Sequence, residues 1–273
     1  MTPRTLFIDG VALWAPSLPG WSAARLAFRG EGAAADPPAR RPAPELLPPA
    51  ERRRAPDTVA LALEVASEAV AQSGFAPADL LSVFTSAHGD LGIVDYVCST
   101  LASAPTLLSP TKFHNSVHNA ASGYWTIATG CMQASTAVTA GLRSFAAGLL
   151  EAATQCAAEA RPVLLVGYDI EACGALASTT TSRGMLAVAL VLAPLPGRNT
   201  IASLEWSLVP GTSHAVALRS APAQALQANA MADALPLFEA IATGVSEPIL
   251  LPLSAQLSLQ VRAGVVSARI EMA

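Results

Sequence analysis

Residues 113–142 have the sequence FHNSVHNAASGYWTIATGCMQASTAVTAGL, and this stretch carries most of the information about the fold. Residues 116–130 have the pattern of a helix that ends at a glycine. Residues 135–139 are rich in β-branched side chains, which predicts a strand. An alanine-rich run over residues 142–160 then predicts a long buried helix. The order helix, strand, helix is typical of an α/β protein.

The same alternation extends along the rest of the chain. Asp57 stands where a helix N-cap belongs, before an apolar-periodic run that Gly74 ends. Prolines are so dense over residues 30–56 that we expect an extended surface loop there. One further helix is expected over residues 222–243, and the remaining strands are expected at 5–13, 81–86, 162–167, 185–192, 200–208, 248–252 and 256–262. We therefore predict a single layered α/β domain with a mainly parallel or mixed sheet.

The composition indicates a chain that buries part of its surface against another protein. Hydrophobic residues make up 52% of the chain and charged residues 13%, whereas about a quarter of the residues are charged in ordinary soluble domains. So few charges cannot cover the surface, so we expect a broad interface with another subunit. The net charge is −4 and Lys112 is the only lysine, which argues against nucleic acid as a partner.

No segment of the sequence predicts a membrane span or an export signal. The most apolar run, residues 185–194, is about half the length that a membrane-spanning helix needs. Asp9 interrupts the apolar N-terminal segment, which is typical of a strand rather than of a signal peptide. We expect a cytoplasmic protein.

The usual catalytic and metal-binding motifs are absent from the sequence. There is no GxSxG elbow, no GxGxxG and no P-loop. His114 and His118 are four residues apart and would share one helix face, but Asn115 stands where a zincin has glutamate. We therefore expect no metal and no cofactor, and a structural or interface role for both histidines. His88, at the end of a predicted strand, is either an acid–base group or a turn residue, and we favour the turn.

The four cysteines form neither a zinc-binding pattern nor a disulfide framework. They are Cys98, Cys131, Cys156 and Cys173. We expect buried thiols in a reducing compartment.

The order of several blocks resembles the N-terminal half of β-ketoacyl synthases, which have the thiolase fold. These blocks are the run from Arg52, the strand and turn over residues 81–90, and the Ser109–Pro110 pair. The block at 113–130 then resembles the family's helix that begins near an S-x-x-N pattern, here Ser116 and Asn119. The resemblance covers residues 1–210. It implies a layered αβαβα fold, with a thiolase-like half at 1–195 and a shortened C-terminal half at 196–273.

The resemblance also implies that this chain lacks the family's catalytic residues. The family's nucleophilic cysteine follows the strand matched here by residues 135–139, and an ungapped count places Leu142 at that position. The nearest cysteine, Cys131, is more than ten residues away. The family also has two histidines in its C-terminal half, whereas only His214 occurs here in that part and no HGT-like or NFGFGG-like segment is present.

A thiolase-like subunit without these residues is similar to a chain-length factor of aryl polyene or type II polyketide synthesis. Such a subunit pairs with an active synthase through the strand before the nucleophile and limits the length of the acyl chain. We expect Leu142 to fill the space of the missing cysteine and its acyl group. The resemblance places the acyl tunnel and the partner interface at Phe113, Ser116, Asn119, Tyr124, Trp125, Ser135, Thr136, Val138 and Thr139. The aromatic residues among them also fit plain core packing.

A cluster of arginines is the candidate docking site for an acidic acyl carrier protein. It comprises Arg40, Arg41, Arg52, Arg53 and Arg54, and a solvated loop is the alternative. Two other functions remain open for the whole chain. It is either a divergent condensing or acyl-transfer enzyme that uses a non-standard cysteine, or a thiolase-like acyl-binding scaffold without a synthase partner.

Overall fold

The computed structural model describes residues 3–178, 180–211 and 217–265. His214 lies outside the described residues. The strands in these ranges are β1 (Arg4–Ala15), β2 (Leu18–Pro19), β3 (Leu81–Thr85), β4 (Ser135–Val138), β5 (Val163–Asp169), β6 (Leu186–Ala193), β7 (Ala202–Pro210), β8 (Ile249–Pro252) and β9 (Leu257–Val265). The helices are α1 (Trp21–Phe28), α2 (Pro49–Arg54), α3 (Asp57–Ser73), α4 (Leu91–Ser103), α5 (Pro110–His114), α6 (Ala120–Thr129), α7 (Ser144–Glu159), α8 (Ala221–Ala225) and α9 (Leu235–Thr243).

The strands form one mixed sheet in the order β4-β3-β5-β6-β1-β7-β9-β8, with β2 paired to β1. Strands β4, β3 and β5 are parallel to one another, and all the other pairs are antiparallel. Strand β1 pairs with β6 from Phe7 to Trp14 and with β7 from Arg4 to Ile8. It therefore joins the first part of the sheet, formed by β4, β3, β5 and β6, to the second part, formed by β7, β9 and β8. The predicted α/β class is confirmed, and every predicted strand is present to within a few residues.

Helices cover both faces of the first part of the sheet. Helices α3 and α6 enclose one hydrophobic core with the side chains on one face of β5 and β6. A second core, on the opposite face, contains side chains of α1, α7 and α9 together with those of β7, β8 and β9. A middle layer of helices therefore packs against both parts of the sheet. In the described ranges, no helix has the length and apolar character that crossing a bilayer requires.

Proline explains two errors in the predicted elements. The expected loop at 30–56 contains α2, because Pro49 occupies its first turn, where a missing N–H costs no hydrogen bond. The expected helix at 222–243 is divided into α8, a 3₁₀ turn and α9, with Pro236 in the first turn of α9. Proline in a helix interior would remove a hydrogen bond and clash with the preceding turn.

Two helix boundaries also differ from the prediction. Asp57 is the first residue of α3 rather than its cap, and its carboxylate pairs with Arg41 at 3.0 Å. Helix α6 begins only after Asn119, so His114 ends α5 while His118 lies in the connection between the helices. The two histidines therefore do not share a helix face. Helix α4 was not predicted at all.

Candidate functional site

Leu142 lies in the turn that connects β4 to α7. A 3₁₀ turn over Gly141–Arg143 precedes α7. The Ser144 hydroxyl accepts a hydrogen bond from the Ala140 N–H at 3.0 Å and donates one to the Gly141 carbonyl at 2.7 Å. These bonds fix Leu142 at the positive end of the α7 dipole, where a thiolate would be stabilised. The leucine side chain has no group that could act as a nucleophile.

None of the four cysteines lies in the turn that contains Leu142. The Cys131 thiol is buried and donates to the Leu80 carbonyl at 3.4 Å. Cys156 lies in the interior of α7, and burial raises the pKa of its thiol to about 12. Cys98 and Cys173 are exposed, contrary to the expectation that the cysteines are buried. Partial burial and the nearby Asp90 raise the pKa of the Cys173 thiol, which disfavours the thiolate.

A cavity of about 590 Å³ lies beside Leu142. Leu142 is 61% exposed and forms part of its wall, so the expectation that this side chain fills the space of a missing cysteine is wrong. Other walls come from Leu218, from Leu251 on β8 and from Pro236 on α9. The cavity thus lies between the turn before α7 and the C-terminal segment that runs from Ala217 to Pro252.

The carboxyl group of Asp233 is part of the same cavity wall. Its Oδ2 accepts a hydrogen bond from the Ala146 N–H, in the first turn of α7, at 3.2 Å. Its Oδ1 is buried and has no hydrogen-bond partner. Burial, with a smaller contribution from the charge of Asp169, raises the pKa of the Asp233 carboxyl to about 7. Asp233 was not predicted as a site residue, because a single aspartate in an apolar helical run carries no recognisable sequence pattern.

Among the described residues, β4 has a neighbouring strand on one side only, so its other edge is open. The Ala134 and Val138 carbonyls accept hydrogen bonds from β3, so the main-chain groups of alternate residues point toward β3. The main-chain groups of Ser135, Ala137 and Thr139 therefore point away from the sheet. An unpaired strand edge is a template for another strand.

The side chains of β4 are held from within the chain. The Thr136 hydroxyl accepts a hydrogen bond from Gln155 on α7 at 3.0 Å, and Val138 packs against the second core. The Thr139 hydroxyl donates to the Ala87 carbonyl at 3.0 Å. The strand is thus positioned firmly while its outer edge stays open.

Large apolar side chains are exposed close to β4 in the chain. Ile127 on α6 is 82% exposed, and Met132, between α6 and β4, is 93% exposed. Leu107, Phe113 and Val117, which come earlier in the chain, are also exposed apolar residues. Single exposed apolar residues are common, but several in the segment that leads to a strand with an open edge indicate a surface that binds another protein.

The block from Phe113 to Gly130 is divided between surface and core. Phe113 and Asn119 are exposed, Ser116 and Tyr124 are partly buried, and the Ser116 hydroxyl donates to the Phe113 carbonyl. Trp125 is buried in the core formed by α3 and α6. Core packing therefore explains Trp125, and its assignment to the tunnel or to the partner interface is corrected.

His88 belongs to a network that closes the turn after β3. The Asp169 carboxylate accepts hydrogen bonds from the Ser86 hydroxyl at 2.7 Å and from the Ala87 N–H at 2.9 Å. The His88 Nε2 lies 3.7 Å from the same carboxylate, and the His118 Nε2 lies 3.0 Å from the Ser86 carbonyl oxygen. Because the serine hydroxyl donates to the carboxylate and not to an imidazole, this is a structural network rather than a nucleophile–base pair.

Two of the five clustered arginines have structural partners. Arg41 pairs with Asp57, and the Arg52 guanidinium donates to the Leu47 carbonyl at 3.0 Å. Arg53 and Arg54, together with Arg40, are exposed. Three cations thus remain available on this surface.

Several solved structures have the same fold as this chain. The ketosynthase (ApeO) in complex with its chain length factor (ApeC), from Xenorhabdus doucetiae, has a TM-score of 0.72 at 24% identity, covering 94% of this chain and 99% of the matched chain. The ishigamide ketosynthase/chain length factor has a TM-score of 0.70 at 15% identity, covering 96% and 100%. A type II polyketide acyl-carrier protein in complex with its hexaketide-bound ketosynthase (AntDE:AntF) has a TM-score of 0.73 at 11% identity, again covering 96% and 100%.

These matches cover nearly the whole of the aligned chains, and they confirm the thiolase-like ketosynthase fold. No curated protein matches the sequence. The sequence profile of the β-ketoacyl synthase N-terminal domain matches residues 26–250, which is most of the chain. The chain therefore belongs to the β-ketoacyl synthase N-terminal domain family.

Proposed function

We propose that this chain is a non-catalytic subunit of the chain-length-factor type, which forms a heterodimer with an active β-ketoacyl synthase. The observation that carries the proposal is Leu142 at the start of α7, on a helix terminus suited to a reactive thiolate but without a thiol. The imidazoles of His88 and His118, which could serve as acid–base groups, do not line the cavity beside Leu142, because they belong to the turn network.

The open edge of β4 supports the choice of a protein partner. Its outward main-chain groups offer hydrogen bonds to a second strand-bearing surface, and Ile127 and Met132, which are exposed in the segment before β4, offer apolar area. The similar structures named above include ketosynthases in complex with chain length factors, so a synthase is the partner that the likeness favours.

The partner would perform the decarboxylative condensation, and this chain would shape the space that the growing acyl chain occupies. Phe113 is exposed at the end of α5, so its ring can border a cavity completed by a partner. Tyr124 is partly buried and is the second candidate. Bulk at these positions would shorten the longest acyl chain that fits.

An acyl carrier protein is the proposed second partner. We expect the whole complex to be cytoplasmic. Arg53 and Arg54 are exposed at the end of α2 and can steer an acidic protein toward the complex. One of the similar structures is a ketosynthase with its acyl-carrier protein, which supports this assignment.

The placement of the cysteines counts against a divergent enzyme. Cys156 is deeply buried, and its thiol, with a pKa of about 12, is protonated at neutral pH. Cys131 is buried too, and neither residue lines the cavity. A scaffold without a synthase partner remains the second alternative, and it leaves the exposed edge of β4 unexplained.

Coexpression with the synthase whose gene lies nearest to the gene of this chain tests the proposal. We expect the two chains to copurify at a 1:1 ratio, with condensation activity only in the pair. Replacing Phe113 by alanine should lengthen the products, while replacing the exposed Leu195 should not. A stable monomer that binds no cognate synthase would refute the proposal.

A further inference from the structure

We propose that the Asp233 carboxyl blocks the start of α7 from within the chain, so that no thiolate or oxyanion is stabilised there even when position 142 carries a thiol. The inertness of this chain then has two separate causes, the missing thiol at Leu142 and the carboxyl group of Asp233. This block keeps the acyl group on the partner, and in that respect the inference rests on the proposed function.

Asp233 occupies the N–H groups that a helix start normally offers to a side chain. Helix α7 begins at Ser144, and its N-cap, Arg143, makes no side-chain hydrogen bond to the first turn. Side chains at a helix start usually accept hydrogen bonds from the second or third residue, here Phe145 and Ala146. The Ala146 N–H donates to the Asp233 Oδ2 at 3.2 Å, and the Phe145 N–H is a second, weaker donor to the same carboxyl. Asp233 thus caps α7 from a position 87 residues further along the chain.

The segment that carries Asp233 is fixed on both sides of this residue. Before it, the Asn229 amide donates to three main-chain carbonyls, and its oxygen accepts a hydrogen bond from the Met231 N–H at 3.0 Å. After it, the Phe238 ring on α9 packs edge-on against the Phe145 ring, with the ring centroids 6.1 Å apart. These contacts hold the carboxyl against the first turn of α7.

Stability alone does not account for a carboxyl at this place. The Asp233 Oδ1 is buried and has no hydrogen-bond partner in the described part of the chain. A buried polar atom without a partner is costly, and the burial that raises the pKa of this carboxyl reflects the same cost. A neutral side chain of similar size would fill the space at a lower cost. The carboxyl therefore acts through its charge and through the N–H groups that it occupies.

A carboxylate at the start of α7 opposes the chemistry that a helix terminus otherwise favours. A thiolate is stabilised there by free N–H groups and by the positive end of the helix dipole. Asp233 takes up N–H groups, and a negative charge raises the pKa of a thiol beside it. Leu142 and Asp233 line the same cavity, so a thiol at position 142 would experience that charge. An oxyanion formed from a thioester would meet the same repulsion.

Alkylation of an introduced thiol tests the block. Leu142→Cys changes an exposed side chain, so the fold should be kept. The full-length chain is used, in complex with its synthase where the two copurify and alone where they do not. The rate of alkylation by iodoacetamide is followed from about pH 6 to about pH 10, and peptide mass spectrometry assigns the adduct to position 142. We expect the pKa of the introduced thiol to be no lower than the ordinary value of about 8.5, and a lower pKa would overturn the proposal.

This measurement is independent of the proposed function. The pKa of the introduced thiol is read on this chain alone, so it can show no block while the 1:1 complex still forms. It can equally show the block when no synthase copurifies.

Substitutions at Asp233 in the Leu142→Cys background show whether this carboxyl is responsible. Asp233→Ala frees the N–H groups and removes the charge, so the pKa of the thiol should fall by at least one unit, which is about tenfold more thiolate at neutral pH. Asp79→Ala, on the surface, is the matched control and should leave that pKa unchanged. A smaller fall with Asp233→Ala, or an equal fall with Asp79→Ala, would refute the block.

A second variant decides the question if Asp233→Ala does not fold. Asp233→Asn fills the same space and keeps an oxygen for the Ala146 N–H, but it has no charge. The pKa of the introduced thiol should then fall by about half a unit or more, because one repulsive charge is removed. A smaller change would show that the Asp233 charge does not act on position 142.

Discussion

The hydroxyl of Ser82 on β3 donates a hydrogen bond of 2.9 Å to the hydroxyl of Ser135 on β4. This bond, with the parallel ladder between the strands, holds β4 in place along one side. The other side of β4 pairs with no strand in the described part of the chain. The arrangement separates the groups that stabilise the fold from those that are available to a partner.

Proline at position 137 should therefore disrupt the complex without unfolding the chain. The Ala137 N–H points away from β3, so Ala137→Pro removes a donor from the open edge and none from the ladder. We expect copurification with the synthase to fall at least tenfold. Ala137→Val, which keeps the N–H, is the control and should copurify normally. Equal recovery of both variants would show that the partner does not use this edge.

A charge at position 127 tests the apolar surface beside β4. Ile127→Asp places a carboxylate on a side chain that is 82% exposed, so the isolated chain should fold as before. Burial of that charge against a partner would be unfavourable, and we expect the affinity for the synthase to fall at least tenfold. Leu195→Asp, at a position that is 74% exposed beyond β6, should bind normally. Comparable losses in the two variants would point to a non-specific effect of charge.

Removing the Asp233 carboxyl should change how stability depends on pH. Its pKa is about 7 in the folded chain and has an ordinary value of 3.8, so the folded state binds the extra proton. This group therefore lowers the free energy of unfolding as the pH rises from about 4 to about 7, by up to about 4 kcal/mol. Asp233→Asn does not titrate, so urea unfolding should show it gaining stability relative to the wild type between pH 5 and pH 8. Asp79→Asn, on the surface, is the control, and parallel curves for Asp233→Asn and the wild type would contradict the assigned pKa.

Gly10 is the position where a methyl group should be least tolerated. A Cβ there would lie 2.0 Å from the Ala69 carbonyl oxygen, a main-chain atom of α3. Gly10→Ala must push α3 away from β1, and we expect a loss of about 3 kcal/mol or more in unfolding free energy. Gly123→Ala on α6 meets no atom within 4 Å and should be neutral, or stabilising by up to about 1 kcal/mol. Similar stabilities for the two variants, measured by thermal or urea unfolding, would contradict this packing.

The sequence predicted the central strands well, because β5 and β6 are continuous apolar runs buried on both faces. Helix α4 was missed, because most of its residues are exposed or partly buried and its apolar positions do not form a clear stripe. The break before α9 was missed because apolar periodicity was given more weight than Pro236. Local patterns thus predicted the elements that the core defines, and they failed where a single residue or an exposed surface decides.

The candidate site was only partly predictable. Leu142 was identified because its position relative to a strand and a helix is a local property. The cavity beside it and the Asp233 carboxyl depend on side chains from β8 and from the turn before α9, which come together only in the folded chain. Trp125 shows the reverse problem, because an aromatic residue on a helix has the same sequence pattern in a core as at an interface.

Intact-mass spectrometry of the copurified complex tests the central claim, that this chain contributes no nucleophile. After incubation with an acyl thioester of the carrier protein, we expect the acyl group on the synthase subunit and no mass increase on this chain. A covalent acyl adduct on this chain, abolished by a single cysteine-to-alanine substitution, would contradict the account.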